Sequence, residues 1–283
     1  MQNDTEDLMC YYINLDRSVD RRAHMETVIK DRGLTAIRIA ACDGATLTDA
    51  ACAAHRPPAS GKRQLSKPEI GCFLSHRAAW TDIAAGDQRW GCVFEDDIML
   101  SQDISHVLRD IYRSADHTTF VKLESFLPQR ILIGRQQRSL CDNRVLAPVH
   151  STSDGTAGYL LSRENAVRLL DASQTCDTPV DDFMFNPAHW PLADVIRHHV
   201  VPGVCIQQKQ AEAMQFLPAD AGQSIIDEAR LASQTQAAPP RRRGWRKLRR
   251  EVMRPFDRPV AGVRNRLIAW RANGTWTDAT FRM

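Results

Sequence analysis

The sequence predicts an α/β fold, a mixed sheet with crossover helices. Three observations carry that prediction. Apolar runs of strand length alternate with segments of helical spacing between Met9 and Ser162. The run Trp90-Gly91-Cys92-Val93-Phe94 is apolar like a buried strand, and it empties into three carboxylates, Glu95, Asp96 and Asp97. The chain of 283 residues, 43% apolar and 25% charged, has a globular composition and enough length to bury a substantial core.

The elements follow in chain order. Met9 to Leu15 reads as a buried strand ending in Asn14-Leu15-Asp16-Arg17. A helix after Ser18 shows Met25, Val28 and Ile29 on one face and stops at Gly33. Thr35 to Ala40 is a second strand, closed by the turn pair Asp43-Gly44. Residues 51–65 read as a polar, proline-containing loop with Lys62 and Arg63 near its end. Ser66-Lys67-Pro68-Glu69 is a capping-box pattern with an early proline, so a helix should run to about Ala85. After the acidic strand, Ile104, Val107, Leu108 and Ile111 place a helix from Ser101. Shorter strands follow at 119–123, 130–133 and 145–149. Gly155 to Ser162 then leads into a helix capped by Ser162. No internal repeat is visible. Gln, Ala, Ser and Pro dominate 232–240, which marks a linker.

The net charge of +3 conceals an asymmetry, since residues 1–240 carry −7 and residues 241–283 carry +10. An acidic body and a basic tail meet different partners. From Arg241 to Phe256 the basic residues interleave with Trp245, Leu248, Val252 and Met253. Such a mixture suits an anionic membrane surface, where each Lys or Arg contributes about 1 kcal/mol. The competing readings are nucleic-acid binding, which any arginine run permits, and a merely solvated tail. The membrane reading is preferred, and nucleic acid is not expected as a partner. No long apolar span or basic-then-apolar signal stands in the chain, so a cytoplasmic location is expected. The eight cysteines form no Cys-x-x-Cys pair, which argues against zinc and for reduced core thiols.

The acidic run carries the chemistry. Sheet edges at the carboxyl ends of strands are where α/β folds place ligands. Three charges there repel one another unless a cation joins them. A hard divalent ion, Mn²⁺ or Mg²⁺, takes oxygen ligands and carries a diphosphate with it. Alternate residues on an extended segment share a side, so Glu95 and Asp97 would converge while Asp96 points away. The alternative is that the acids only favour the start of the next helix. Asn14, Asp16 and Arg17, just past the first strand, stand where a nucleotide is expected, and Arg17 and Arg21 suit phosphate. Against this, they form an ordinary solvated helix start. Glu69, Cys72 and His76 recur at three- and four-residue spacing on one helix. Glu69 is also explained as the cap partner of Ser66, and His76 as a satisfied core histidine. Small residues around Gly155 and Gly158 let a backbone pass close to a ligand, or simply pack a strand tightly.

Several of these segments together resemble glycosyltransferase family 25, the lipooligosaccharide galactosyltransferases of bacterial surfaces. The matching segments are Ile13 to Arg17 with Asp20-Arg21-Arg22; Glu69 to Cys72 with Leu74-Ser75-His76; Phe94 to Asp97; and Gly155 to Ser162. Pro179-Val180-Asp181 with Phe183, Pro202 to Gln207, and Ser224-Ile225 follow in order, so the resemblance covers roughly residues 9–226. It implies a GT-A-like fold, a UDP-sugar donor and a divalent metal held by Asp97, Glu95 and Asp96. The first acid departs from the usual Asp-x-Asp. The resemblance places Ser75, His76, Gly155 and Gln207 along the donor site and makes Asp181 the general base for the acceptor hydroxyl. Asp181 also fits as a helix cap. His198 and His199 are further options for metal.

The expectation is therefore a catalytic domain over 1–231, a linker over 232–240, and a basic amphipathic helical tail over 241–283 that docks on the inner face of the membrane. The activity expected is inverting transfer of a hexose, galactose from UDP-galactose, to a lipooligosaccharide or lipopolysaccharide hydroxyl. Alternatives are UDP-glucose or a UDP-N-acetylhexosamine as donor, an inactive sugar-binding relative, or a metal-dependent phosphoesterase or nuclease.

Overall fold

The computed structural model describes residues 8–55, 64–113, 119–175, 177–214, 266 and 268–283. The first half contains β1 (Leu8–Asn14), α1 (Val19–Asp31), β2 (Ala36–Ala40), a 3-10 turn (Gly44–Thr46), α2 (Asp49–His55), α3 (Lys67–Ala85), β3 (Trp90–Glu95), β4 (Ile98–Leu100) and α4 (Ile104–Tyr112). The second half contains β5 (Phe120–Lys122), β6 (Arg130–Gly134), β7 (Arg138–Ser139), β8 (Val145–Pro148), β9 (Gly158–Ser162), α5 (Arg163–Ala172), α6 (Val180–Phe185), β10 (Arg197–Val201), β11 (Cys205–Gln207), α7 (Gln208–Ala213) and β12 (Gly274–Asp278).

Eight strands form one sheet in the order β2-β1-β3-β9-β5-β10-β8-β7. β1 runs parallel to β2 and β3, and β5 runs parallel to β10. β9 is antiparallel to both β3 and β5, so those two strands share the direction of β1. The sheet is mixed, as the alternation of strands and helices predicts. The carboxyl ends of β1, β3 and β5 open on one edge.

Strand alternation divides the core between two faces. Tyr11, Ile13, Val93, Phe120 and Tyr159 pack with Phe73, Trp80 and Phe183 of α3 and α6. Cys10, Tyr12, Cys92, Phe94 and Leu160 pack with Met25 and Ile29 of α1 and with Ile104, Val107 and Ile111 of α4. β3 is covered on both faces, which is why its sequence is apolar without interruption. Each large side chain so buried contributes about 1.5–3 kcal/mol.

α3 starts on its capping box. Ser66 Oγ accepts from the Glu69 backbone nitrogen at 3.4 Å, and Glu69 Oε2 accepts from the Ser66 backbone nitrogen at 2.8 Å. In the second turn Gly71 lets the helix close on the 3-10 turn. A Cβ there would stand 2.7 Å from both the Cys42 carbonyl oxygen and the Gly44 nitrogen. Ser75 Oγ, one turn on, accepts from the Cys42 nitrogen at 2.8 Å. This seats residues 42–45 beside the helix face of Cys72, Ser75 and His76.

Three expectations change. Residues 49–55, partly inside the expected 51–65 loop, are helical, and Thr48 Oγ1 accepts from the Ala51 nitrogen at 3.1 Å to start them. The helix expected from Ser101 begins at Ile104, after the short strand β4. The third concerns the chain's end. The linker at 232–240 and the run Arg241 to Phe256 lie outside the described residues, but residues 274–282 lie on the body. β12 pairs antiparallel with β6, the Gly203 nitrogen donates to the Thr280 carbonyl at 2.7 Å, and Arg144 Nη2 donates to the Arg282 carbonyl at 3.0 Å. Residues 274–282 of the expected tail thus lie against the body. Among the described residues no helix is long and apolar enough to cross a membrane.

Candidate active site

The carboxyl ends of β1, β3 and β5 border a cleft of about 590 Å³. Glu95, Asp96 and Asp97 line it where β3 ends. Around them stand Leu15, Arg17, Arg21 and Cys42–Ala45; Cys72, Ser75 and His76 of α3; and Phe126–Pro128, Asp154–Thr156, Pro179–Asp181 and Gln207.

The three acids differ sharply in their surroundings. Asp96 Oδ2 accepts from Asn14 Nδ2 at 2.7 Å, and its Oδ1 accepts from Arg21 Nη1 at 3.1 Å. Burial raises the Asp96 pKa, with the Asn14 and Arg21 hydrogen bonds opposing. Glu95 Oε1 accepts from Thr156 Oγ1 at 2.6 Å and lies 3.4 Å from His76 Nε2. Burial pushes Glu95 up, but the hydrogen bonds from His76 and Thr156 outweigh it and hold its pKa below the ordinary value. Asp97 has no such compensation. Its Oδ1 is buried without a hydrogen-bond partner, and Arg21 reaches only to 3.5 Å of its Oδ2. Burial, reinforced by the Glu95 charge and opposed by Arg21, pushes the Asp97 pKa up to about 7. One carboxylate is thus held charged and its neighbour pressed toward neutrality, a separation typical of functional sites.

Behind the cleft lies a second charged pair. Glu124 is fully buried beyond β5, with Oε2 accepting from the Ala157 nitrogen at 2.9 Å and Oε1 lacking a partner. Burial pushes its pKa up to about 7, against the pull of Lys122. Lys122 Nζ stands 3.4 Å from Glu124 Oε2, donates to the Asp154 carbonyl at 2.7 Å and to the Gly155 carbonyl, and lies 4.0 Å from the Phe185 ring centroid. Burial lowers the Lys122 pKa, with Glu124 opposing. Lys122 therefore holds the 153–155 loop that lines the cleft. Gly155 has φ +83°, and a Cβ on it would lie 2.5 Å from Glu124 Oε1. Only glycine lets the loop pass there.

Of the residues singled out from sequence, the fold brings Arg17, Ser75, His76, Glu95, Asp96, Asp97, Gly155, Asp181 and Gln207 to this one cleft. Arg17 pairs with Asp43 at its rim. Asp181 Oδ1 accepts from the Asp182 nitrogen at 3.0 Å in the first turn of α6. Two residues are placed elsewhere. Asn14 is buried beneath the lining; besides donating to Asp96, its Oδ1 accepts from Arg38 Nε at 3.0 Å. Asp16 projects into solvent, paired with Arg38 at 2.5 Å. Asn14, the last residue of β1, faces inward, and the turn after it swings Asp16 outward. Asp96 does not point away as alternation predicts; it lines the cleft, with both oxygens taken by Asn14 and Arg21. His198 and His199 sit on β10, outside the lining, and His199 Nδ1 lies 2.8 Å from the Val200 carbonyl oxygen. Lys122 and Glu124 lie outside the sequence expectations. Their signal was two charges at alternate positions in an otherwise apolar strand segment.

Fold and cleft together define an α/β protein with an acidic cleft at the carboxyl edge of a mixed sheet. Residues 8–184, more than half of the chain, match glycosyltransferase family 25 (LPS biosynthesis protein), and the chain belongs to that family. Human procollagen galactosyltransferase 2 is 28% identical over 189 residues, 62% of this chain and 29% of its own length. The lacto-N-neotetraose biosynthesis glycosyltransferase LgtE of Neisseria gonorrhoeae is 25% identical over 211 residues, covering 70% of this chain and 73% of that protein. The lipooligosaccharide biosynthesis protein lic2B of Haemophilus influenzae is 28% identical over 158 residues, 52% of this chain and 56% of its own length. The chain thus spans under a third of the human relative and little over half of lic2B.

Proposed function

We propose that the protein transfers a hexose from a nucleotide-sugar donor to a sugar hydroxyl of lipooligosaccharide or lipopolysaccharide. The reading takes UDP-galactose as donor and an inverting, in-line displacement on a GT-A-like scaffold. Family membership supports glycosyl transfer, and the relatives named for galactosyl transfer and lipooligosaccharide synthesis support the donor and acceptor. One observation carries the site. Asp97 presents a buried carboxylate oxygen without a partner beside an ionised Glu95. That donor set fits a hard divalent cation, Mn²⁺ or Mg²⁺, held by Asp97 and Glu95 with Asp96 beside them. Such an ion supplies charge neutralisation for a leaving diphosphate.

The chain's own groups do the rest. Arg17 and Arg21 line the cleft and meet the negative charge of the diphosphate. Ser75, Gln207 and the Gly155 loop border the donor. Asp181 takes the proton from the attacking acceptor hydroxyl. Asn14 acts indirectly, by fixing Asp96. The basic stretch from Arg241 to Phe256 keeps the enzyme on the anionic inner face of the membrane, next to an embedded acceptor. The test is UDP release from a panel of UDP-sugars with Mn²⁺, with and without lipooligosaccharide. Acceptor-dependent release, greatest with UDP-galactose and abolished by EDTA, is expected. Greater release from UDP-glucose or a UDP-N-acetylhexosamine would change the donor, and no release from any would overturn the reading.

A further inference from the structure

We propose that Cys72, His76 and Glu95 form a second cation site in the cleft, suited to a borderline-soft divalent ion of the zinc class. The ligand atoms that these three residues offer all lie within 4.8 Å of one another. Zinc arms of about 2.0–2.3 Å at tetrahedral angles hold ligand atoms roughly 3.3–3.6 Å apart. His76 Nε2 and Glu95 Oε1 are already 3.4 Å apart. The thiol needs to close by no more than about 1.5 Å to complete three arms.

The surroundings orient these ligands as metal ligands are oriented. His76 Nδ1 lies 2.9 Å from Tyr159 Oη, which in turn accepts from Trp80 Nε1 at 2.9 Å. That engagement of Nδ1 leaves Nε2 as the atom facing Glu95. Thr156 Oγ1 donates to Glu95 Oε1 at 2.6 Å and fixes the carboxylate. Partners of this kind set ring orientation and basicity at metal sites. Cys72 and His76 stand one turn apart on α3, whose start is pinned by its capping box. All three residues line the cleft, so a fourth position opens to water or a ligand.

Softness separates this site from the neighbouring acids. A thiolate and an imidazole with one carboxylate favour zinc-class ions, whereas Asp96 and Asp97 offer only hard oxygen. The sequence has no Cys-x-x-Cys because the site forms where β3 meets α3, not within one local motif. Glu95 belongs to both sets, so a zinc-class ion would compete with a hard cation for it. The proposal stands independently of sugar transfer.

Co²⁺ titration of the full chain tests it. A near-ultraviolet sulfur-to-cobalt charge-transfer band saturating at one Co²⁺ per chain is expected. Cys72→Ser should abolish that band, while Asp97→Asn should leave it. No thiolate band, a band that persists in Cys72→Ser, or its loss in Asp97→Asn would overturn the site. Should Cys72→Ser fail to fold, Zn²⁺ protection of Cys72 from alkylation in the native protein, read by peptide mass mapping, decides. Slower alkylation supports the site, and an unchanged rate rejects it. UDP release with Mn²⁺ is measured in parallel, so failure of either reading shows separately.

Discussion

At Asp97, position and charge oppose each other. Its carboxyl is protonated in both folded and unfolded chains well below pH 4. Between about pH 4 and pH 7 the unfolded chain ionises while the folded one resists, because the folded pKa is pushed up to about 7. The folded state binds more protons across that window, so this group lowers stability as pH rises. Asp97→Asn removes the conflict at nearly constant shape. Its stability advantage over wild type in metal-free buffer should be absent near pH 4, grow through the window and level off above pH 7. Denaturation midpoints across pH measure this, and a difference independent of pH would refute the assignment. The same variant should lose cation-dependent turnover. Asp181→Asn should behave differently, lowering kcat by about 10² to 10⁴ while leaving UDP affinity in place. Loss of UDP binding would move Asp181 to the donor side of the cleft. The acids at 95–97 could be read from sequence because a buried strand ending in charge is a local pattern. Their separate environments could not, because Arg21, His76 and Thr156 reach them from three other segments.

α3 illustrates the same division among elements. Its start was legible, since a capping box is complete within four residues. Its docking depends on Gly71, where an added Cβ meets backbone atoms of residues 42 and 44. Gly71→Ala should therefore cost about 1–3 kcal/mol through overpacking. It should also loosen the Cys42–Ala45 wall, which is read as a lowered denaturation midpoint together with weaker nucleotide binding. An unchanged midpoint would mean that the helix moves without strain. α2 is masked in the sequence because its run of small residues lies beside a proline-containing stretch. β4 and β11 are three residues each and exist by pairing with one another, Cys205 opposite Leu100 and Gln207 opposite Ile98. No local periodicity marks such strands.

The mixed sheet as a class followed from the order of apolar runs; its topology did not. β9 inserts between β3 and β5, and β12 closes on β6 from 140 or more residues away, as Gly274 opposite Gly134 shows. Register over that distance is set by which apolar surfaces remain to be covered. Phe281 supplies one such cover, packing with Ile206 and Ala211. The membrane reading belongs to the molecule as a whole, since it concerns where the body is held. Replacing Arg241, Arg242, Arg243 and Arg246 by Gln should abolish binding to anionic vesicles while leaving the denaturation midpoint unchanged. Equal vesicle binding would reject the reading, and preferential binding of the wild-type chain to DNA at physiological salt would favour the nucleic-acid one.

The return of β12 also changes what can be done to the chain. A cut between Met214 and Arg266 would leave the last strand held only by its pairing with β6 and the contacts of residues 280–282. In limited proteolysis, a fragment that begins beyond Met214 and stays with the body after a cut would report the strength of the clasp at residues 274–282.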